Sequence, residues 1–300
     1  GLFRYRLEQV VNSVRSSGVR VTMRRAVNRF RKEKVRSIPF RERLWLDKSG
    51  FKGISYIMYE FEGKGEAERA TYLPDRATLP LAAINGVIGI FLKNKLVFHR
   101  IIEARPLSVR SPKLIALIRN GRLISGAPPF SEICRDTLFD SSDAVFFKPV
   151  LGTRGLDVRL VTRETVDRVL EETFRVSTDR RKEHREFVIV SRVTQARYSR
   201  EIFPDSFNTV RVVAFRRPRS REVIIPMAVH RFGTRLTAPV DNWSRGGMTC
   251  DIDMDTGRIR SVTCHPSLTG WTMSRDPHHP DSGVRIEGHQ IPRWQEMLET

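Results

Sequence analysis

At Ala144 the chain changes texture, and that change limits its fold more than any other feature. Upstream, apolar residues come in runs or at helical spacing, punctuated by glycine and proline. Downstream come AVFFK, LDVRLV, EFVIVSRV, TVRVVAFRR and EVIIPMAVHRF, short segments rich in the β-branched residues that suit a pleated, half-buried surface. One helical pattern, RETVDRVLEETFRV, interrupts them, with Thr162 placed to cap it. AVFFK and LDVRLV read as antiparallel partners around a glycine loop, and Asp255-Thr256-Gly257 as a hairpin tip. Helices, then strand–loop–strand–helix–strand, then antiparallel strands make an α+β chain.

Upstream of Ala144, residues 2–36 read as basic helices, with Leu7, Val10, Val11 and Val14 on one face and a break at Gly18. Residues 40–70 are cut by Gly50, Gly53, Gly63 and Gly65 and give no assignable element. LAAINGVIGIFLKNKLVFHRIIE predicts one or two helices, with Asn85-Gly86 as the break. SPKLIALIRNG predicts a further short helix ended by Gly121, and another is expected around Ser131–Leu138. IPRWQEMLET opens a last helix. The expected divisions are a basic helical region over 1–70, a helical part over 71–143 and a strand-rich core over 144–300.

Charge adds a second constraint. At 40% hydrophobic and 29% charged residues the chain is globular, and its net charge of +19 is unevenly spread. Residues 1–45 carry thirteen Lys/Arg against three Asp/Glu, which is +10 of the total. That segment reads either as a docking arm for nucleic acid or an anionic membrane, or as a solvated arginine-rich helical face. No apolar run reaches the roughly 18–20 residues of a membrane span, and no signal peptide is visible. Cys134, Cys250 and Cys264 are too scattered for a disulfide framework, so a reducing, cytoplasmic setting is expected.

Two groups of residues carry chemistry. VFFKPVLGTRG delivers Lys148 to the mouth of a loop holding Gly152 and Gly155. Lysine supplies a point charge and glycines let backbone N–H groups close on phosphate, although plain turn chemistry uses the same residues. Among the later strands, Asn208, Arg211, Arg231, Asp241, Asn242, Arg245 and the pair Gly246-Gly247 fall within forty residues. Guanidinium groups in a cleft suit phosphate or carboxylate, and Gly-Gly suits close approach to a ligand; outward-facing strand arginines are the alternative. Other chemistries fail: there is no G-K-[ST] after the glycines, no G-x-G-x-x-G, no G-x-S-x-G elbow, and no compact zinc spacing. Asp251, Asp253 and Asp255 alternate like the start of a calcium loop that Gly257 does not continue.

The order of these motifs is more specific than any one of them. FFKP-x-x-G-x-x-G, EFVIVSRVTQ, FPDSFNTVRVV, VDNWSRGG, DMDTG, HPDSG and IPRW resemble the ATP-grasp superfamily, and in particular its sugar-transfer-associated branch. The resemblance covers about residues 72–300 and implies two α+β subdomains gripping ATP, preceded here by a basic helical segment. It implies that Lys148 binds the α/β phosphates, that Lys95 adds a second contact, and that Gly152, Thr153, Arg154 and Gly155 cover the triphosphate. The strand Ile189, Val190, Ser191 and Arg192 would be the hinge that reads adenine. Asn208, Arg211, Arg231, Asp241, Asn242, Arg245, Gly246 and Gly247 would complete the phosphate and acceptor pocket.

The implied activity is an ATP-dependent, Mg²⁺-assisted ligase that joins a carboxylate to an amine or other nucleophile through an acyl-phosphate. Cell-surface polysaccharide or natural-product assembly is the implied setting. The alternative is a catalytically degenerate nucleotide fold whose basic arm binds nucleic acid or membrane. Two departures stand out. Ser191 occupies the place of the family's hinge glutamate, with Glu186 a neighbour able to compensate. The family's metal ligands also lie further on than Thr300, so a sequence truncated at both ends is expected.

Overall fold

The structure is a computed structural model. It describes residues 38–78, 84–105, 111–152, 157–179, 185–217, 219–220, 222–266, 269 and 272–299. The helices expected over 2–36 lie outside these residues. The chain divides into two compact units, Gly1–Leu81 and Ala82–Thr300.

In the first unit the glycine-cut segment is helical. It holds α1 (Phe40–Ser49), α2 (Gly53–Met58), α3 (Glu66–Arg69) and a 3-10 turn at Asp75–Ala77. Gly50 ends α1 at a φ of 82°, the left-handed conformation glycine adopts without a Cβ penalty. An aromatic knot replaces a conventional aliphatic core. Phe61 is fully buried, with the rings of Trp45, Phe51 and Tyr72 each 5.2–5.4 Å from its own.

The second unit begins with α4 (Ile88–Lys93) and α5 (Lys95–Glu103). Two antiparallel sheets follow. The first has the order β2–β1–β5–β3–β4, from β1 (Leu114–Arg119), β2 (Arg122–Ser125), β3 (Ala144–Pro149), β4 (Arg159–Thr162) and β5 (Phe187–Ser191). The second is a meander of β6 (Thr209–Arg216), β7 (Val223–Phe232), β8 (Met248–Ile252) and β9 (Ile259–Cys264).

Three expectations are corrected. SPKLIALIRNG is not a helix: Leu114–Arg119 is β1, alternating buried Leu114, Ala116 and Ile118 with half-buried neighbours. Asn120 and Gly121 both take positive φ, 51° and 75°, so the Asn-Gly pair turns a hairpin into β2 where a helix cap was expected. The helix around Ser131–Leu138 is a 3-10 turn at Arg135–Phe139. Thr162 does not cap the amphipathic helix α6 (Val166–Thr178). It ends β4, and Thr165 holds the cap position, its Oγ1 accepting the Thr162 N–H at 3.0 Å.

Strand period sends successive side chains of β3 to opposite faces. Val145 and Phe147 enter the core that α6 covers with Val166, Val169 and Leu170. Phe146 joins Leu114, Val188 and Val190 on the other face, packed against Leu96 and Phe207. The meander is covered on one face by α7 (Arg197–Ile202) and the C-terminal segment with α8 (Trp294–Glu299), through Ile202, Phe203, Ile286 and Trp294. Gly257 ends the β8–β9 hairpin at a φ of 75°, and Trp294 packs where its Cβ would be.

Candidate functional site

The face of the first sheet opposite α6 carries a cation. Lys148 stands two residues beyond Phe146 on β3, its Nζ 5.3 Å from the centre of that ring. It lies across the ladder from Val188. Burial lowers its pKa from the usual 10.5, and the charge of Lys95 lowers it further. Among the described residues Lys148 Nζ has no hydrogen bond or ion pair.

Lys95 opens α5, where Asn94 caps the helix by accepting the Val97 N–H at 3.0 Å. Its backbone N–H donates to Val150 O at 3.0 Å and its Nζ donates to Gly152 O at 3.1 Å. Burial lowers its pKa as well. Two half-buried ammonium groups that repel each other, with no carboxylate among the described residues paired to either, would be eased by an anion between them. Gly152 lies beside them; Thr153, Arg154 and Gly155 lie outside the described residues.

A cavity of about 370 Å³ opens on the same face, walled by Phe146 and Leu160 on one side and by Arg192, Thr194, Phe207 and Pro239 on the other. β5 runs antiparallel to β3, with Ser191 opposite Val145 and Val188 opposite Lys148. The cavity therefore sits where β5 leaves the sheet. Lys148 lies about 7 Å from Phe146 along the strand towards the glycine loop, at ~3.4 Å per residue.

The hinge residues divide. Ile189 and Val190 belong to an interior strand, Ile189 pairing with Ala116 and Phe147 and Val190 with Leu114 and Phe146, and the Ile189 side chain enters the opposite core. Ser191 donates its N–H to Lys113 O at 2.9 Å, and its hydroxyl accepts the Lys113 N–H at 3.0 Å. Arg192 is the first of the four whose chain has left the ladder, and it lines the cavity. Glu186 sits at the other end of β5 in an ion pair with Arg119, so it does not stand in for a glutamate at Ser191.

The second cluster is brought together mainly by its own internal bonds. Asn208 donates to Phe203 O at 2.8 Å and Ser199 O at 3.2 Å, and accepts the Gly233 N–H at 3.0 Å and the Ser206 hydroxyl. Asp241 is buried, accepts the Thr209 N–H at 2.9 Å and pairs with Arg231 at 3.1 Å. Burial works against both charges, raising the Asp241 carboxyl and lowering the Arg231 guanidinium; Thr209 and the pair itself offset it.

Asn242 caps the 3-10 turn Trp243–Arg245, and Arg245 is exposed. Gly246 takes a φ of 117°, and a Cβ on Gly247 would lie 2.8 Å from Asp241 O and 3.0 Å from Phe232 O. The close approach at Gly247 is thus to the protein's own backbone. Arg211 is exposed on the uncovered face of β6, opposite Val229 and on the same face as Arg231, which lies opposite Thr209.

A family model described as sugar-transfer associated ATP-grasp matches residues 85–300. The chain belongs to that family. No curated protein and no solved structure gave a match.

Within this ATP-grasp chain, several residues of the site were not among the candidate site residues read from the sequence, although Gln195 and His279 lie in its motifs. Gln195 accepts the Asn208 N–H at 2.8 Å and donates to Ser206 O, and Lys113 closes on Ser191. His279, buried and stacked on Phe203 at 4.6 Å, donates from Nε2 to Gly233 O at 2.7 Å. Its position in the HPDSG motif was the only signal for it. For a divalent cation, no group of three His, Cys, Asp or Glu side chains among the described residues is placed to hold one.

Proposed function

We propose that the protein binds ATP on the Lys148 face of its first sheet and activates a carboxylate as an acyl-phosphate for ligation to a nucleophile. One observation supports this most directly: two half-buried lysines, with no carboxylate partner among the described residues, lie on the same sheet face as a base-sized cavity that begins at Phe146. Lys148 and Lys95 would neutralise the polyphosphate, with the adenine between Phe146 and the Arg192 segment.

A carboxylate oxygen of the substrate forms a bond to the γ-phosphorus, and the bond from that phosphorus to the β–γ bridging oxygen breaks to leave ADP. The nucleophile then attacks the acyl carbon, phosphate departs, and the nucleophile's proton passes to solvent or a base. Arg211, exposed beside the pair Arg231–Asp241, would meet an anionic substrate. Arg231 is held by Asp241 and Thr209 on the same face. Mg²⁺ is expected from the family, and no group of three His, Cys, Asp or Glu side chains among the described residues is placed to hold it.

The setting we favour is cytoplasmic assembly of a cell-surface polysaccharide or natural product. The test has two arms. ATP should protect the protein from heat, and a pool of small and sugar-linked carboxylates should then release phosphate in the presence of an amine. No protection by ATP sinks the proposal; protection without phosphate release from any acid leaves nucleotide binding and removes the ligase.

A further inference from the structure

From Arg76 to Ile102 the chain carries no acidic residue. Within that stretch Ile84, Val87, Ile88, Ile90, Phe91 and Leu92 are each between 48% and 74% exposed. Exposed apolar side chains are ordinary when scattered singly; six within nine residues form a patch of the kind that marks an interaction surface. Around α4, at about 100° per residue, Val87, Ile88, Ile90, Phe91 and Leu92 sweep roughly 200° of the circumference. That is wider than the stripe a helix needs to pack against one neighbour. Phe98 and Ile101 continue the apolar surface along α5, at 42% and 41% exposed.

Charge complementarity names the occupant. Lys93 and Arg105 are exposed at the edges of the patch. The nearest acid, Glu103, is already engaged by His99 and Arg100, each at 3.0 Å. Apolar side chains fringed by cations and free of acids fit the boundary of an anionic bilayer, where the side chains reach acyl chains and the ammonium groups meet phosphate. α4, with six residues, is about 9 Å long, and no helix among the described residues is long and apolar enough to cross a membrane. The patch therefore lies in the interface rather than through it.

We infer that residues 84–101 dock the protein on an anionic lipid surface. None of the exposed apolar residues is in the lysine site, although α5 serves both: Lys95, at its first turn, turns inward to Gly152. The inference is thus independent of the ATP reading.

The experiment is co-sedimentation of the full chain with vesicles of phosphatidylcholine, alone or mixed equally with phosphatidylglycerol. The wild type should pellet with the mixed vesicles and retain part of that binding in high salt, because apolar insertion is not screened. The triple variant I88S/I90S/F91S should lose bound fraction on the order of tenfold in high salt while its melting curve stays unchanged, since the three side chains are exposed. Phe91→Trp should add fluorescence that brominated lipid quenches, which reports insertion directly even if the triple variant misfolds.

Equal binding by the triple variant and the wild type overturns the inference. So does binding that vanishes entirely in high salt, which would assign attachment to the basic residues 1–45. Absence of vesicle binding with a dimer that the triple variant dissociates would make a second copy of the chain the occupant, and would overturn it too.

Discussion

Replacing Lys148 by methionine separates a binding lysine from a structural one, because the two predict opposite signs. Lys148 is half-buried beside Lys95, and burial and that neighbour lower its pKa from 10.5. A lysine lowered in this way loses its proton in the folded chain before the unfolded one does. Between the folded pKa and 10.5 the unfolded chain holds more protons, so the lysine's stability contribution is complete above 10.5 and is lost as pH falls through the folded value. At neutral pH the charge costs stability. Methionine keeps most of the volume, loses the ring contact with Phe146, and removes a half-buried charge that has no ion-pair partner among the described residues.

A net gain of about 1 kcal/mol is expected, or about 2–4 °C in Tm for a unit of this size. ATP at a hundred times its Kd should stabilise the wild type by about 2.7 kcal/mol, some 5–10 °C. Losing a buried charge-assisted contact to phosphate costs at least about 2 kcal/mol, a thirtyfold weaker Kd, so the variant should gain only about 3 °C or less at the same ATP. Differential scanning fluorimetry with and without ATP and Mg²⁺ reads both effects. A variant less stable without ATP yet shifted by ATP as much as the wild type would refute the assignment of Lys148 to the phosphates.

Three further outcomes follow from the second sheet. Asn208→Ala takes the side-chain donor from the Phe203 carbonyl and one of two partners each from the Gly233 N–H, which keeps the Ser206 hydroxyl, and the Ser199 carbonyl, which keeps the Phe203 N–H; it should cost about 1–3 kcal/mol in urea unfolding. Gly247→Ala drives a Cβ into Asp241 O and Phe232 O, backbone atoms that cannot swing away; about 1–3 kcal/mol should be lost. His230 is buried, bonded to the Tyr198 hydroxyl at 2.7 Å, and its pKa falls from 6.5 to about 4, chiefly through burial. A lowered pKa means stability present above 6.5 and lost as pH falls towards 4, on the order of 3 kcal/mol in all. An acid titration of stability that is flat across this window would show that His230 is charged or exposed in the folded chain.

How far the fold can be read from the residues depends on how each segment is buried. AVFFK and the later strands carry β-branched residues with turn residues between them, so their strand character survives without neighbours in view. LIALIR does not: β1 is flanked by β2 and β5 with apolar residues on both faces, and a continuous apolar run has no period to separate strand from helix. The informative residues were Asn120 and Gly121, whose positive φ values make the turn. The glycine-cut segment 40–70 failed for a related reason. Gly50, ending α1, and Gly63, in the turn between α2 and α3, sit at positive φ, so they punctuate helices instead of forbidding them.

The site shows a different limit. Lys148 is legible because a lysine at the end of an apolar strand is unusual whatever surrounds it. Asn208, Asp241, Asn242 and Gly247 were legible as polar or close-approach residues but not as to partner, since a backbone N–H or carbonyl offers them the same bonds a phosphate or ribose would. In the folded chain those partners are Gly233, Phe203, Thr209 and the 3-10 turn. The family's motif order thus marks the wall of the cleft as much as its chemistry. Phe207 packs on Phe146 at 5.7 Å directly before Asn208 and Thr209, so the hydrogen bonds of those two residues set where the cavity's outer wall stands. A substitution in this network should therefore weaken nucleotide binding and folding together, whereas Lys148→Met weakens binding alone, and that difference separates wall from contact.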